Sequence, residues 1–424
     1  MKSSTFGFHA AVLTLLASTA AAPAAAPGDA ALAARVAKVL AASPVIDGHN
    51  DLPSEIRDRF DSDVLRADLR KDATTLPRKP GENPLMTDIP RARAGHLGGQ
   101  FWSVWVPNKD PNAMKLAIEE IDIIKRMAAA YPDAFEMAYT ADDIVRIQKK
   151  GRIASLIGME GGDQIDGSLA ALRQFYALGA RYLTLTHATN TKLADSATDT
   201  PVYNGLSPLG REAVKEMNRL GMAIDLSHVS PATMKQVLEL SRAPVIFSHS
   251  GARALIDHPR DVPDDVLALV ARNRGIVMVN FYPGYVSQAR AKWDADRAAE
   301  QTRYNAPPFG GLYIGQPERA KEAMAAWEAA NPRPKVTVAM VADHIDHIAK
   351  VAGKDAVGLG SDFDGIPDTP EGLDGVHKYP ALFVELARRG WSDADLAKLS
   401  GGNLLRVLRE IEQVAKQETS KKAG

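Results

Sequence analysis

The sequence predicts a (β/α)8 barrel of the TIM type, and three observations lead to that fold class. Eight short apolar runs with β-rich composition follow one another along the 424 residues, and helical segments lie between most of them. Strands that are apolar along their whole length and alternate with helices indicate a parallel sheet covered by helices, and eight such units indicate a closed barrel. The alternative is an open doubly wound sheet, but no G-x-G-x-x-G or phosphate loop accompanies any strand.

The predicted strands are PVIDGHN (44–50), QFWSVWV (100–106), ASLIGME (154–160), RYLTLTH (181–187), MAIDLSH (222–228), PVIFSHS (244–250), GIVMVNF (275–281) and AVGLGSD (356–362). Helices are predicted at 111–131, 168–179, 207–221, 230–241 and 263–275. Ser207 and Ser230 stand at the positions where helix N-caps are expected. Residues 284–335 are too long for a loop and are predicted to form an insertion before the last strand. Residues from about 376 to 416 are predicted to form C-terminal helices over the barrel.

Composition narrows the possible functions. The chain is 45% apolar and 24% charged, which is ordinary for a globular protein with a sizeable core. With 51 basic and 52 acidic residues, the net charge of −1 gives no support for binding nucleic acid or an anionic membrane. The absence of cysteine excludes disulfides, zinc–thiolate sites and a cysteine nucleophile, so a metal ion has to be held by His, Asp and Glu. No G-x-S-x-G motif supports a serine hydrolase.

The N-terminus has the pattern of an export signal. Lys2 precedes an apolar stretch over 6–17, and mostly small residues follow through Ala26. We therefore expect a signal peptide over 1–26, with its cleavage site undefined, and a single barrel domain over 27–424. The apolar stretch is too short to be a membrane span, and the C-terminal EQVAKQETSKKAG has no hydrophobic tail for a lipid anchor. The expected product is a soluble periplasmic or secreted protein.

Polar residues collect where the predicted strands end, which in such barrels is where the chemistry lies. Six strands finish in groups that can bind a metal or transfer a proton, namely His49 with Asp51, Glu160, His187, His228, His249 and Asp362. Each of them alone could be a hydrogen-bonded core or turn residue, but independent polar residues have no reason to gather at one end of a barrel. Together they predict a metal centre.

Imidazole and carboxylate ligands without thiolate suit Zn²⁺, with Mn²⁺, Co²⁺ or Fe²⁺ as substitutes. A bridging carboxylate would allow two ions about 3.5–4 Å apart, an arrangement that serves hydrolysis. Asp47 lies one step deeper on the same strand face as His49 and is predicted to orient that histidine. His344 and His347, three residues apart on a later helix, are predicted to lie on a solvated polar face.

The motifs VIDGHNDLP, FWSVW, GMEGG, LTLTHATN, DLSHVS, FSHSGARAL, RDVPDDVL and GLGSDFDG occur in this order from Val45 onwards. In these motifs the chain resembles the membrane dipeptidase family of zinc peptidases. The resemblance assigns His49 and Asp51 to one zinc, His228 and His249 to a second, and Glu160 to both. It makes His187 the group that stabilises the oxyanion and Arg260 the group that binds the substrate's C-terminal carboxylate. Asp362 would either carry a proton to the leaving amine or bind the substrate's free amino group.

The resemblance implies a dipeptidase with two Zn²⁺ per chain, in which a metal-bridging hydroxide attacks the peptide bond of dipeptides with a free C-terminal carboxylate, including dipeptides that end in a D-residue. It also suggests a homodimer. The chain departs from animal members in having neither cysteine nor an anchor signal, and the 284–335 insertion is placed where it could cover the site. Two other hypotheses stay open. One is a metal-dependent amidohydrolase acting on N-acyl amino acids or lactones, and the other is a binding protein that has lost catalysis, which the complete ligand set disfavours.

Overall fold

The structure, a computed structural model, describes Met1 and residues 28–79, 82–308 and 310–423. Its strands are β1 Val45–Asn50, β2 Leu97–Trp105, β3 Phe135–Met137, β4 Ile153–Glu160, β5 Ala180–Thr184, β6 Ala223–Asp225, β7 Ile246–Phe247, β8 Ile276–Val279 and β9 Val357–Leu359. Its α-helices are α1 Asp29–Ala42, α2 Leu52–Phe60, α3 Ile89–Ala94, α4 Ala113–Ala130, α5 Ala141–Gln148, α6 Leu169–Leu178, α7 Pro208–Leu220, α8 Pro231–Leu240, α9 Asp264–Asn273, α10 Pro283–Val286, α11 Gln288–Asn305, α12 Pro317–Ala330, α13 Val338–Ala352, α14 Tyr379–Arg388, α15 Asp393–Ala397 and α16 Asn403–Ala423.

In this part of the chain, eight parallel strands form a closed barrel. They pair in the order β2, β1, β9, β8, β7, β6, β5, β4, and β4 pairs again with β2 to close the ring. The predicted TIM-type fold is therefore confirmed, with helices between the strands and α14 to α16 after the last strand. The predicted signal peptide over 1–26 lies outside the described residues, apart from Met1.

One strand was not predicted from the sequence. β3 pairs with the first half of β4, at Ile153 to Ser155, while β5 pairs with the second half, from Ile157 to Glu160. The two strands therefore share one edge of β4 in succession. β3 contains only three residues, too few to show the alternation by which a strand is recognised in a sequence.

Several strands end earlier than predicted. His187, His228 and Asp362 each lie three residues beyond their strand and His249 lies two beyond, so the predicted strand ends at 187, 228, 250 and 362 are wrong. Buried aspartates provide the physical reason, because they accept backbone N–H groups that would otherwise continue the sheet. Asp225 accepts the N–H of Ser227 at 3.1 Å and that of Ser248 at 2.7 Å.

The helices mostly follow the prediction. Ser207 and Ser230 cap α7 and α8, since their side chains accept the N–H of Gly210 at 2.9 Å and of Thr233 at 3.2 Å. The predicted insertion before the last strand contains α11 and α12, and the helix that returns the chain to β9 is α13. No helix in the described part of the chain has the length and apolar character needed to cross a membrane.

The positions of two clusters of buried apolar side chains show which end of the barrel is covered and which is open. One lies between the strands and the surrounding helices. The other fills the interior at the N-terminal ends of the strands, where Ile46, Phe101 and Leu156 pack with Leu404 and Val407 of α16. Because α16 covers that end, the polar residues that follow the strands gather at the opposite end, as in other barrels of this type.

Candidate metal centre

Glu160, the last residue of β4, stands between two groups of potential ligands. Its Oε2 lies 3.4 Å from Nε2 of His49. Its Oε1 lies 2.9 Å from Nε2 of His228 and 3.4 Å from Nε2 of His249. The carboxylate thus presents one oxygen to each group, the arrangement expected of a ligand that bridges two metal ions.

The first group is formed by His49 and Asp51 at the end of β1. Nε2 of His49 lies 3.2 Å from Oδ2 of Asp51 and 4.0 Å from Oδ1 of Asp362. It is buried and has no hydrogen-bond partner among the described residues. On the other side of the ring, Nδ1 lies 2.9 Å from the hydroxyl of Tyr182. That hydroxyl donates to the carbonyl oxygen of Gly48 at 3.3 Å, so its oxygen is free to accept from Nδ1–H of His49.

The prediction for Asp47 needs correction. Its side chain does not contact the His49 ring; it accepts the backbone N–H of His49 at 2.8 Å and that of Ser361 at 3.0 Å. Asp47 therefore fixes the backbone on which His49 is carried and ties it to the loop after β9, while Tyr182 orients the ring. Gly158 allows this, because a Cβ at that position would lie 2.0 Å from Cζ of Tyr182.

The second group is formed by His228 and His249, whose Nε2 atoms lie 2.9 Å apart. Ser248 links His249 to the buried Asp225. The Ser248 hydroxyl donates to Oδ2 of Asp225 at 2.6 Å, which leaves its oxygen to accept from Nδ1–H of His249 at 2.8 Å. As at His49, the proton sits on Nδ1 and the lone pair of Nε2 faces the centre.

These residues fit metal ions. His, Asp and Glu side chains form three overlapping groups whose potential ligand atoms lie within 4.8 Å of one another: His49, Glu160 and His249; Glu160, His187 and His228; and His49, Asp51 and Asp362. Among the described residues, no Lys or Arg lies within ion-pair distance of Asp51, Glu160 or Asp362. The described basic groups near these buried carboxylates are histidines alone, and such a set favours a bound cation as the source of compensating positive charge.

The pKa directions agree with this fit. Burial lowers the pKa values of His228 and His249 well below the usual range, which leaves both imidazoles neutral and able to donate a lone pair. Burial alone would raise the pKa of Glu160, but the neighbouring His49 and His187 hold it well below its usual range. At His49 burial acts to lower the pKa, yet Tyr182, Glu160 and Asp51 together raise it well above normal. The surrounding groups therefore favour a positive charge at Nε2 of His49, which either a proton or a bound metal ion supplies.

His187 and Arg260 border the same cavity, which has a volume of about 430 Å³. Nε2 of His187 lies 3.8 Å from Oε1 of Glu160. Arg260 is only 2% exposed, and its Nη2 donates to the carbonyl oxygen of His249 at 3.1 Å. Its Nε is buried without a hydrogen-bond partner in the described chain, and its guanidinium lies 5.3 Å from the ring centre of Tyr285. Arg260 thus places a permanently charged guanidinium at the wall of the cavity.

Asp362 approaches the first group from the loop after β9. Its backbone has the left-handed conformation, with φ of 64°, and Oδ2 accepts from the amide of Asn280 at 2.9 Å. Burial raises the pKa of Asp362 well above its usual range, which favours a protonated side chain. Gly365 follows in the same loop, and a Cβ there would lie 2.2 Å from Oδ2 of Asp51.

All eight predicted site residues therefore come together around one cavity or directly beneath it. Sequence reasoning missed the side chains that hold them, namely Tyr182, Asp225, Ser248, Trp105, Asn108, Tyr285 and Asn280. A charged residue inside an apolar strand, as in AIDLSH, was the one available signal for Asp225. Tyr182 and Trp105 carry no such signal, since aromatic residues are ordinary in strands.

The prediction of a solvated face is wrong for His344. This residue of α13 is 1% exposed, its Nδ1 accepts the N–H of Ala252 at 2.9 Å, and its Nε2 lies 3.1 Å from the carbonyl oxygen of Val286. His347, on the neighbouring face of the helix, lies 2.7 Å from Asp264 near the surface. Of the described residues of the insertion, Tyr285 of α10 is the one that lines the 430 Å³ cavity.

Comparisons with known proteins point to one family. The sequence model of the membrane dipeptidase family (peptidase family M19) matches residues 33–422. An uncharacterized dipeptidase of Schizosaccharomyces pombe, C3A11.10c, is 42% identical over 392 residues, which cover 89% of this chain and 83% of that protein. Dipeptidase 3 of Mus musculus is 40% identical over 378 residues, covering 88% of this chain and 65% of the mouse protein. Among solved structures, the probable dipeptidase PvdM from Pseudomonas aeruginosa superposes with a TM-score of 0.74 at 26% identity, over 91% of this chain and 99% of that one.

Proposed function

This chain belongs to the membrane dipeptidase family and is a metallo-dipeptidase, and we propose that it uses two Zn²⁺ ions to hydrolyse dipeptides with a free C-terminal carboxylate, including those that end in a D-residue. The observation that carries the proposal is the position of Glu160. Its two carboxylate oxygens face separate groups of ligands, on a cavity that Arg260 also borders.

We propose that His49 and Asp51 hold one ion, that His228 and His249 hold the other, and that Glu160 binds both. Imidazole and carboxylate donors without sulfur suit zinc. When bound, a zinc pair polarises the peptide carbonyl and lowers the pKa of water, so that a nucleophile is available at neutral pH.

The protein's own residues orient the substrate. Arg260 borders the cavity as a planar, permanently charged donor, and it suits a carboxylate better than a lysine would. It borders the cavity at the His249 side, so the C-terminal residue of a dipeptide would lie there. One bound carboxylate would fix the distance to the scissile bond, so we expect dipeptides to be favoured over longer chains.

His187 and Asp362 serve the bond that breaks. His187 lies beside Glu160 and donates a hydrogen bond from Nε2 to the oxygen that becomes negative in the tetrahedral intermediate. Asp362 holds a proton on Oδ1, the oxygen left free by Asn280, and passes it to the leaving amine.

A substrate panel tests the proposal. Purified protein is assayed with L-L and L-D dipeptides, with the matching N-acyl amino acids and with lactones, before and after chelation and with metal content measured. We expect turnover of the dipeptides, loss on chelation and recovery with zinc. Turnover confined to N-acyl amino acids or lactones, with about two metals bound, would keep the site and replace the substrate class.

We also propose that the enzyme is exported, on the basis of the signal pattern in residues 1–26. Expression of the full chain in a Gram-negative host, followed by N-terminal sequencing of the periplasmic fraction, tests this. A periplasmic protein that begins between about residues 20 and 28 is expected. An intact N-terminus confined to the cytoplasm would refute export without affecting the assignment of activity.

A further inference from the structure

We propose that Trp105 is a positioning residue that fixes the tautomer of His187, so that the neutral imidazole carries its proton on Nε2. The inference rests on the proposed role of His187 as a hydrogen-bond donor to the reacting carbonyl oxygen. A neutral imidazole can donate from only one of its two nitrogens, and which one depends on its neighbours.

The surroundings of Nδ1 determine the choice. The indole Nε1 of Trp105 lies 3.5 Å from Nδ1 of His187, and the two rings meet edge to face at 5.8 Å. Both amide atoms of Asn108 lie close to the same nitrogen, at 3.2 Å for Nδ2 and 3.3 Å for Oδ1. Asn108 can either donate or accept, but an indole N–H can only donate. Nδ1 is therefore the acceptor, and the proton is left to Nε2.

Nε2 is the nitrogen that faces the metal centre. It lies 3.8 Å from Oε1 of Glu160, and the His187 ring lies 4.3 Å from that of His228. The metal-facing histidines have the opposite arrangement. Tyr182 and Ser248 accept from Nδ1–H of His49 and His249, which leaves lone pairs on their Nε2 atoms. One cluster thus contains imidazoles set to bind metal and one set to donate a hydrogen bond, and the neighbours of Nδ1 decide which is which.

The orientation of Trp105 is itself supported from beneath. The guanidinium of Arg57 lies 5.9 Å from the centre of the Trp105 ring and donates to its carbonyl oxygen at 2.9 Å. Glu120, which is fully buried, accepts from Arg57 at 2.8 Å and from Ser54 at 2.9 Å. Arg57 of α2 and Glu120 of α4 thus form an ion pair outside the metal centre, and this pair holds the indole of Trp105 in place beside His187.

Trp105→Phe tests the proposal, because it keeps the ring and removes the N–H. Trp102→Phe is the matched control, since it removes an indole N–H from the same strand whose nitrogen has no hydrogen-bond partner among the described residues. Tautomers are read by ¹⁵N NMR of histidine-labelled, zinc-loaded protein, with His187→Asn used to assign the signal. Activity is measured in parallel on a dipeptide.

We expect the wild type and Trp102→Phe to show His187 protonated on Nε2, and Trp105→Phe to show a mixture of tautomers. The kcat of Trp105→Phe should fall on the order of tenfold with little change in KM, less than the roughly 10²–10³-fold loss expected for removing an oxyanion donor entirely. An unchanged tautomer in Trp105→Phe would overturn the proposal, whatever the change in activity.

Asn108→Leu gives a second test if Trp105→Phe does not fold. It removes the neighbour of Nδ1 that could accept a hydrogen bond from it and keeps the indole N–H of Trp105, so the proton should stay on Nε2. If a proton appears on Nδ1 in Asn108→Leu, Trp105 does not fix the tautomer and the proposal fails. The NMR result does not require turnover, so failure of the tautomer argument is distinguishable from failure of the dipeptidase assignment.

Discussion

Removing the hydroxyl of Tyr182 should weaken one metal site and leave the other intact. The hydroxyl oxygen of Tyr182 accepts a hydrogen bond from Nδ1–H of His49 at 2.9 Å, and His49 is completely buried. In Tyr182→Phe no water reaches that nitrogen, so its N–H loses its acceptor. Leaving a buried donor unsatisfied costs about 1–3 kcal/mol. Because about 1.4 kcal/mol corresponds to a factor of ten, the metal affinity at His49 and Asp51 should fall roughly 10–100-fold, the range typical for partners of metal-ligating histidines.

The assay is zinc titration of metal-free protein against a competing chelator, with bound metal counted at equilibrium. Wild type should hold two ions per chain over the range of free zinc in which Tyr182→Phe holds one. Tyr131→Phe is the control, because it removes a hydroxyl from another buried tyrosine, one that bonds to Leu69 and Val64 away from the metal centre. Equal affinities of wild type and Tyr182→Phe, or equal losses in Tyr182→Phe and Tyr131→Phe, would refute the argument.

Three further predictions concern Gly158, Arg260 and His344. Gly158→Ala should reproduce the loss of one metal ion, because its Cβ would lie 2.0 Å from Cζ of Tyr182, and two tightly bound ions in this variant would contradict it. Arg260→Lys should raise KM for dipeptides on the order of tenfold or more with a smaller change in kcat, because one bidentate donor is lost; an unchanged KM would place the substrate carboxylate elsewhere. His344→Gln should make metal-free protein less sensitive to acid. Burial lowers the pKa of His344 to about 4 from 6.5, so its neutral form stabilises the fold fully above pH 6.5, and that contribution, on the order of 3 kcal/mol, is lost as the pH falls toward 4. Urea unfolding at pH 7 and 4.5 measures this, and equal pH dependence in both proteins would contradict it.

The fold, and the gathering of polar residues at one end of the barrel, could both be predicted from the sequence, because both depend on the regular alternation of strands and helices. Parallel strands all present their C-terminal ends to one rim, so residues such as Glu160 and His249 meet there whatever the details of the loops. The strand ends could not be read in the same way. RYLTLTH continues its alternation through His187, but the β-ladder stops at Thr184. Alternation of side chains describes an extended backbone, and it does not say which group accepts each N–H.

Which polar residues of a helix are buried could not be predicted from the sequence either. His344 and His347 lie on the same helix, and each directly follows an aspartate. Nevertheless His344 is 1% exposed, whereas His347 pairs with Asp264 near the surface. The difference depends on how α13 is rotated against the barrel, which brings the N–H of Ala252 to His344. A polar residue in a helix shows its environment only when the partner from another element is known.

The two halves of the metal centre use the same structural device, which explains why two strands have an aspartate in an otherwise apolar stretch. Asp47 of β1 accepts the N–H of His49 and that of Ser361, which lies in the loop after the neighbouring strand β9. Asp225 of β6 likewise accepts the N–H of Ser227 and, from the next strand, that of Ser248. In each case a buried carboxylate accepts backbone N–H groups that would otherwise bond to the neighbouring strand. The backbone can therefore turn away from the sheet at the rim of the barrel. The histidines carried there can then face the centre, and the full set of N–H donors repays part of the desolvation cost of each carboxylate. Metal ligands can therefore project from the rim of this barrel because the backbone there bonds to aspartate side chains and not to the neighbouring strand.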